Sequence, residues 1–129
     1  MTVNKYVLKG REVVKFDGDL NAWAEWSCKE ENRRIASDII DEHYVSTVFL
    51  GSDHSYGTLK APIVFETMIF GPDGRTIEGP DGHEYQERCC TYDEAEAMHA
   101  DACLWVKKRN ATHMDDTREY LKTVTKDNK

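Results

Sequence analysis

Over most of this chain apolar and polar residues alternate or run in short apolar blocks, and helical spacing governs only two stretches. "KYVLKGREVVKF" sets Tyr6, Val7 and Leu8 against Val13, Val14 and Phe16 across a link containing Gly10, the pattern of a β-hairpin. Asp17 or Asp19 then caps a helix over residues 20–29, with Leu20, Trp23, Ala24 and Ser27 sharing its inner face. Trp26 lies off that stripe and is expected at a rim or contact surface. "NRRIASDII" leans towards strand, and "YVSTVFL" does so strongly: Val45, Thr47 and Phe49 point one way, Ser46, Val48 and Leu50 the other. "PIVFETMIF" starts after Pro62 and is apolar on both faces except at Thr67 and Glu66, which predicts a central strand largely covered on both sides.

Gly-Pro-Asp-Gly occurs at 71–74 and again at 79–82. A phosphate-binding loop would need a Gly-Lys-Ser/Thr ending and a following helix, so the repeat reads instead as two turns bounding a protruding hairpin arm. "HEYQERCC" supplies a further strand. In "TYDEAEAMHADACLWVKKR", Thr91 and Glu94 form a capping box, and Ala95, Met98, His99, Ala102, Trp105 and Val106 make a buried stripe. Acidic residues load its first turns, and Lys107, Lys108 and Arg109 are expected in its last. Residues 110–129 read as a polar, basic helix or tail with Met114, Leu121 and Val124 as sparse anchors. Short links between strands favour antiparallel pairing. The expected fold is α+β: an antiparallel sheet of four to six strands, including the hairpin, with two main helices on one face, in a single domain over residues 1–109.

Composition narrows the function classes. A length of 129 residues with 40% apolar and 32% charged residues fits one folded domain, and no apolar run is long enough to span a membrane. The N-terminus lacks a basic stretch followed by an apolar one, so a cytosolic location is expected. Net charge is −7, with residues 1–106 holding 10 Lys or Arg against 20 Asp or Glu. Such a body opposes long nucleic acid and suits a basic protein surface. Cys28, Cys89, Cys90 and Cys103 include no Cys-x-x-Cys pair, so reduced thiols are expected and no metal or other cofactor is implied.

Three places could carry chemistry. Asp53 and His54 sit in a Gly-flanked break, where His54 could act as a base oriented by Asp53 or Glu66; alternatively the stretch is a turn whose Asp binds backbone amides. Neighbours on an extended chain point apart, which favours the turn. Glu66, on a core strand, needs a partner among Arg33, Arg34, Arg88 and His54. The same carboxylate with Arg88, Thr47 and Ser46 could line a ligand patch on the sheet. His99, on the buried stripe, reads as a hydrogen-bonded core histidine, because neither a second His nor a carboxylate lies four residues away. His43, His83 and His113 are expected at the surface.

"YVSTVFLGSDHSYG", "FETMIFG" and "QERCCTYDEAEAMH", in that order, resemble a family of small proteins encoded widely by tailed bacteriophages and prophages. The likeness runs from the "YVLKGREVV" hairpin to the "DEAEAMH" helix. The family's form of the loop has an apolar residue where this chain has Ser52, and no catalytic residue carries over. The resemblance implies a phage accessory binding protein in the host cytoplasm. Such a protein would antagonise antiviral defence by sequestering a nucleotide signal or occluding a host defence protein. A sequestering protein would be a homo-oligomer with its ligand at subunit interfaces. The candidate ligand-binding set is Asp53, His54, Tyr56, Glu66, Arg88, Arg33 and Arg34. A small hydrolase or metal-dependent enzyme using His54 with Asp53 or Glu66 is the alternative from another class, and a virion or morphogenesis component is a third.

Overall fold

The computed structural model describes residues 4–56 and 60–127, with side chains as far as residue 112. Along it run β1 (Tyr6–Lys9), β2 (Glu12–Lys15), α1 (Leu20–Ser27), α2 (Glu30–Arg33), β3 (Arg34–Ile40), β4 (His43–Phe49), β5 (Phe65–Phe70), β6 (Gln86–Cys89) and α3 (Tyr92–Asp127). Strands β3 to β6 form one antiparallel sheet in chain order, and β1–β2 stands apart as a two-stranded sheet. The fold is α+β, as the patterning predicts. The hairpin does not extend the main sheet: Tyr6 N–H donates to Gly51 O and Asp53 N–H to Asn4 O, so β1 is tied to the loop after β4.

The period-two pattern decides which face of the sheet is dry. Val45, Thr47 and Phe49 of β4 and Phe65, Thr67 and Ile69 of β5 are buried beneath α3, along with Ala95, Ala102 and Val106 of that helix. The reverse face of β5, with Glu66, Met68 and Phe70, is only half-buried, because no helix crosses it. β5 is central, and its two sides are covered unequally, one fully and the other in part. Met68 and Phe70 on the outer face form a partly covered, partly apolar surface. Tyr44, Ser46 and Val48 of β4 and the strongly exposed Ile39 of β3 continue that surface.

Helix α1 also departs from the expected pattern. Asp19 caps it by accepting from Asn21 N–H, yet Leu20 is exposed and no residue of the helix is fully buried. Trp26, expected at a rim, packs edge-on against Phe49 with ring centroids 5.8 Å apart. Trp23 Nε1 donates to Tyr6 O at 2.9 Å, and its ring abuts Gly51, where a Cβ would lie 2.8 Å from Trp23 Cζ2. An eight-residue helix meets the core through Trp26 and the Gly51 turn through Trp23, and needs no full apolar stripe.

Both Gly-Pro-Asp-Gly repeats are turns of one design. Gly74 N–H returns to Gly71 O and Gly82 N–H to Gly79 O, while Asp73 and Asp81 each accept the backbone N–H two residues on. The chain between them does not project. Ile77 packs on the core and pairs with Ile69 O, and beyond the second turn the buried Tyr85 stacks at 4.9 Å on Trp105.

The capping box at Thr91 and Glu94 forms as expected, each residue bonding the other's backbone N–H. Lys107, Lys108 and Arg109 do not end the helix. α3 continues to Asp127, since neither Gly nor Pro follows to stop it. The side chains of Met114, Leu121, Val124 and His113 lie outside the described residues.

Candidate functional site

The Asp53–His54 pair sits where the chain leaves β4, and the two residues have separate surroundings. Asp53 is buried, and its Oδ1 accepts from Ser55 N at 2.8 Å, Ser55 Oγ at 2.6 Å and Ile63 N at 3.0 Å. The carboxylate is the organiser of its own loop. His54 is half-buried, and its N–H donates to Ile63 O. Tyr56 adopts φ 53° and is exposed.

The His54 imidazole lies within reach of the charges of Arg88, Glu66 and Asp53. Burial and the nearby Arg88 hold its imidazole below the ordinary value of 6.5, against the opposing pull of Glu66 and Asp53. The unfolded chain therefore takes up a proton that the folded chain resists. Stability should decline as pH falls from about 6.5 towards the depressed folded value. Thermal melts across this window are expected to show a shallower decline in His54→Gln than in the wild type. Identical slopes would assign the titration elsewhere.

Glu66 finds Arg88, directly across from it on β6. Arg88 Nε and Gln86 Nε2 each donate to Glu66 Oε2 at 2.9 Å. Glu66 and Arg88 share the open face with Ser46 and Val48. Thr47 does not: it points to the opposite face, and the expectation that it lines the same patch is corrected by the strand alternation.

Arg33 and Arg34 stand at the other side of that open face. Arg33 Nε donates to Phe49 O at 3.2 Å, and Arg34 pairs with Glu30 one turn earlier in α2. With Ser27, Cys28, Tyr44, Ser46 and Val48 they enclose a groove of about 240 Å³ between the α1–α2 corner and the sheet. The structure thus separates the expected site residues into three settings. Asp53, His54 and the exposed Tyr56 belong to the loop, Glu66 pairs with Arg88 across the strands, and Arg33 and Arg34 line the groove.

A cluster that sequence reasoning passed over lies on the covered face. His99 Nε2 is 2.7 Å from Asp38 Oδ2 and its Nδ1 is 2.8 Å from Thr47 Oγ1, which in turn bonds Thr67. Cys103 Sγ approaches the same Asp38 oxygen at 3.9 Å. Burial and the Asp38 charge push the Cys103 thiol up. The available signal was the His99–Cys103 spacing of four on one helix face, which a search for histidines and carboxylates alone overlooks. His43, expected at the surface, is half-buried, and its Nδ1–H donates to Asp41 O at 2.9 Å.

No known protein family, curated protein or solved structure matches this chain. Among the described residues no helix is long and apolar enough to cross a membrane.

Proposed function

We propose that this chain is a non-catalytic accessory protein of the tailed-phage kind it resembles, which sequesters a nucleotide signal in the host cytoplasm. The observation that carries the reading is the groove holding Arg33 and Arg34 beside Tyr44 and Ser46. Guanidinium groups are suited to phosphate because their planar fork donates to two oxygens at once. Arg34 can exchange the exposed Glu30 for such a ligand, and the half-exposed Tyr44 offers a ring face to a base. The acidic remainder of the body disfavours a long polyanion and leaves a small ligand as the fitting partner. Catalysis by Asp53 with His54 is the weaker reading, since the loop's own donors already occupy Asp53 Oδ1.

The test is incubation with cyclic and adenine-derived dinucleotides, removal of free ligand, denaturation and recovery. Intact dinucleotide is expected, with retention about tenfold weaker in Arg34→Gln, the loss of one charge-assisted contact. Degraded product would make the protein an enzyme. No retention of any dinucleotide would overturn the nucleotide reading and leave a host protein as the partner.

A further inference from the structure

We propose that Asp38, His99 and Cys103 form a binding site for a zinc-like divalent cation between β3 and α3. The site lies on the opposite face of the sheet from the arginine groove and does not depend on the nucleotide reading.

Three observations support it. The first is convergence: one carboxylate oxygen, one imidazole nitrogen and one sulfur lie within 4.8 Å of one another, drawn from two elements. Around a tetrahedral zinc ion, bonds of about 2.0–2.3 Å place ligand atoms about 3.3–3.6 Å apart. The His99–Asp38 contact at 2.7 Å opens slightly to admit the ion, and the Cys103–Asp38 contact at 3.9 Å closes slightly. Asp38 and Cys103 are the accessible members, so these adjustments fall on side chains able to make them.

The second is the support behind His99. Its side chain is 7% exposed, and its Nδ1 faces Thr47 Oγ1, which itself bonds Thr67 Oγ1. A metal-bound imidazole needs its other nitrogen to donate to a fixed acceptor, and a buried threonine pair supplies one. With Nδ1–H donating to Thr47, Nε2 is the nitrogen aimed at the ion, and the proton that bridges Nε2 and Asp38 at 2.7 Å is the one the metal replaces.

The third is access. Asp38, His99 and Cys103 open onto a groove that also contains Ile35, Ile40 and Glu96. Three protein ligands and a position facing solvent are the arrangement of a zinc ion that keeps a water or an exchangeable ligand. The nitrogen, sulfur and oxygen set selects zinc or cobalt over calcium or magnesium, which take oxygen donors. On binding, the Cys103 S–H bond and the hydrogen bond between His99 Nε2 and Asp38 both break, their two protons pass to solvent, and sulfur–metal, nitrogen–metal and oxygen–metal bonds form.

Cobalt(II) is the direct probe, added to the full chain kept reduced by a phosphine. The expected result is one equivalent bound, with thiolate-to-cobalt charge-transfer absorption and the intense visible bands of a tetrahedral centre. Zinc should displace it. Cys103→Ser should abolish the charge-transfer band and weaken binding at least about 100-fold, a loss no smaller than second-shell changes produce. Asp38→Asn should also weaken binding, whereas Cys28→Ser should leave the spectrum intact. Circular dichroism of each variant checks that the fold is retained. A wild-type protein without the thiolate band, or a Cys103→Ser protein that keeps it, would overturn the site.

Discussion

Asp53→Ala is expected to lower the free energy of unfolding by about 2–4 kcal/mol. The change removes the acceptor shared by Ser55 N–H, Ser55 Oγ and Ile63 N–H in a buried loop. Each buried donor left without an acceptor costs about 1–3 kcal/mol, and part of that total is recovered where water reaches the opened loop. Asp53→Asn, which retains one carbonyl oxygen, should lose less. Urea unfolding of the three proteins gives the comparison through the midpoint at constant slope. A catalytic or ligand-contacting Asp53 would behave in the opposite sense, with binding lost and stability kept or raised. That outcome would remove the structural account of the loop.

Phe49→Ala should cost about 3–5 kcal/mol, the range for removing a buried aromatic ring from a close-packed core. Phe49 is wholly buried, its ring lies 5.4 Å from Phe65 and 5.8 Å from Trp26, and Ala95 packs on the same cluster. Four separately encoded parts of the chain meet there: α1, β4, β5 and α3. For a domain of this length much of the native margin is at stake, since folded domains hold about 5–15 kcal/mol in total. Trp fluorescence should report the change directly, because Trp26 loses its ring partner. A midpoint within the range of surface substitutions would mean that the core is centred elsewhere.

The sequence makes β4 and α3 legible because each obeys a single period. Alternation alone places Val45, Thr47 and Phe49 inside, and helical spacing alone places Ala95, His99, Ala102 and Val106 there. It misleads wherever burial is decided by what packs on top. The outer face of β5 is as apolar as the inner one, yet it is covered only in part, and composition cannot distinguish a full layer from a partial one. Trp26 sits at the margin of the core for a related reason: on a short helix a single large ring touches Phe49 from a position that an ideal stripe excludes. The site residues divide in the same way. Glu66 and Arg88 meet because strand register sets them opposite each other, whereas Asp38 and His99, 61 residues apart, come together only through the docking of α3.

Asp38 has one more consequence, which concerns how copies of this protein treat one another. β3 is an edge strand of seven residues and could serve as a template for strand pairing with a second chain. Its register breaks between Arg34 and Ala36, and Asp38 points a carboxylate inward along the edge, towards the helix. A neighbouring strand laid against β3 would meet an interrupted ladder beside a charge it has no means to neutralise. At the far edge, β6 presents Gln86, Glu87 and Arg88. Edge-to-edge strand pairing between copies is therefore disfavoured at β3 and β6 alike.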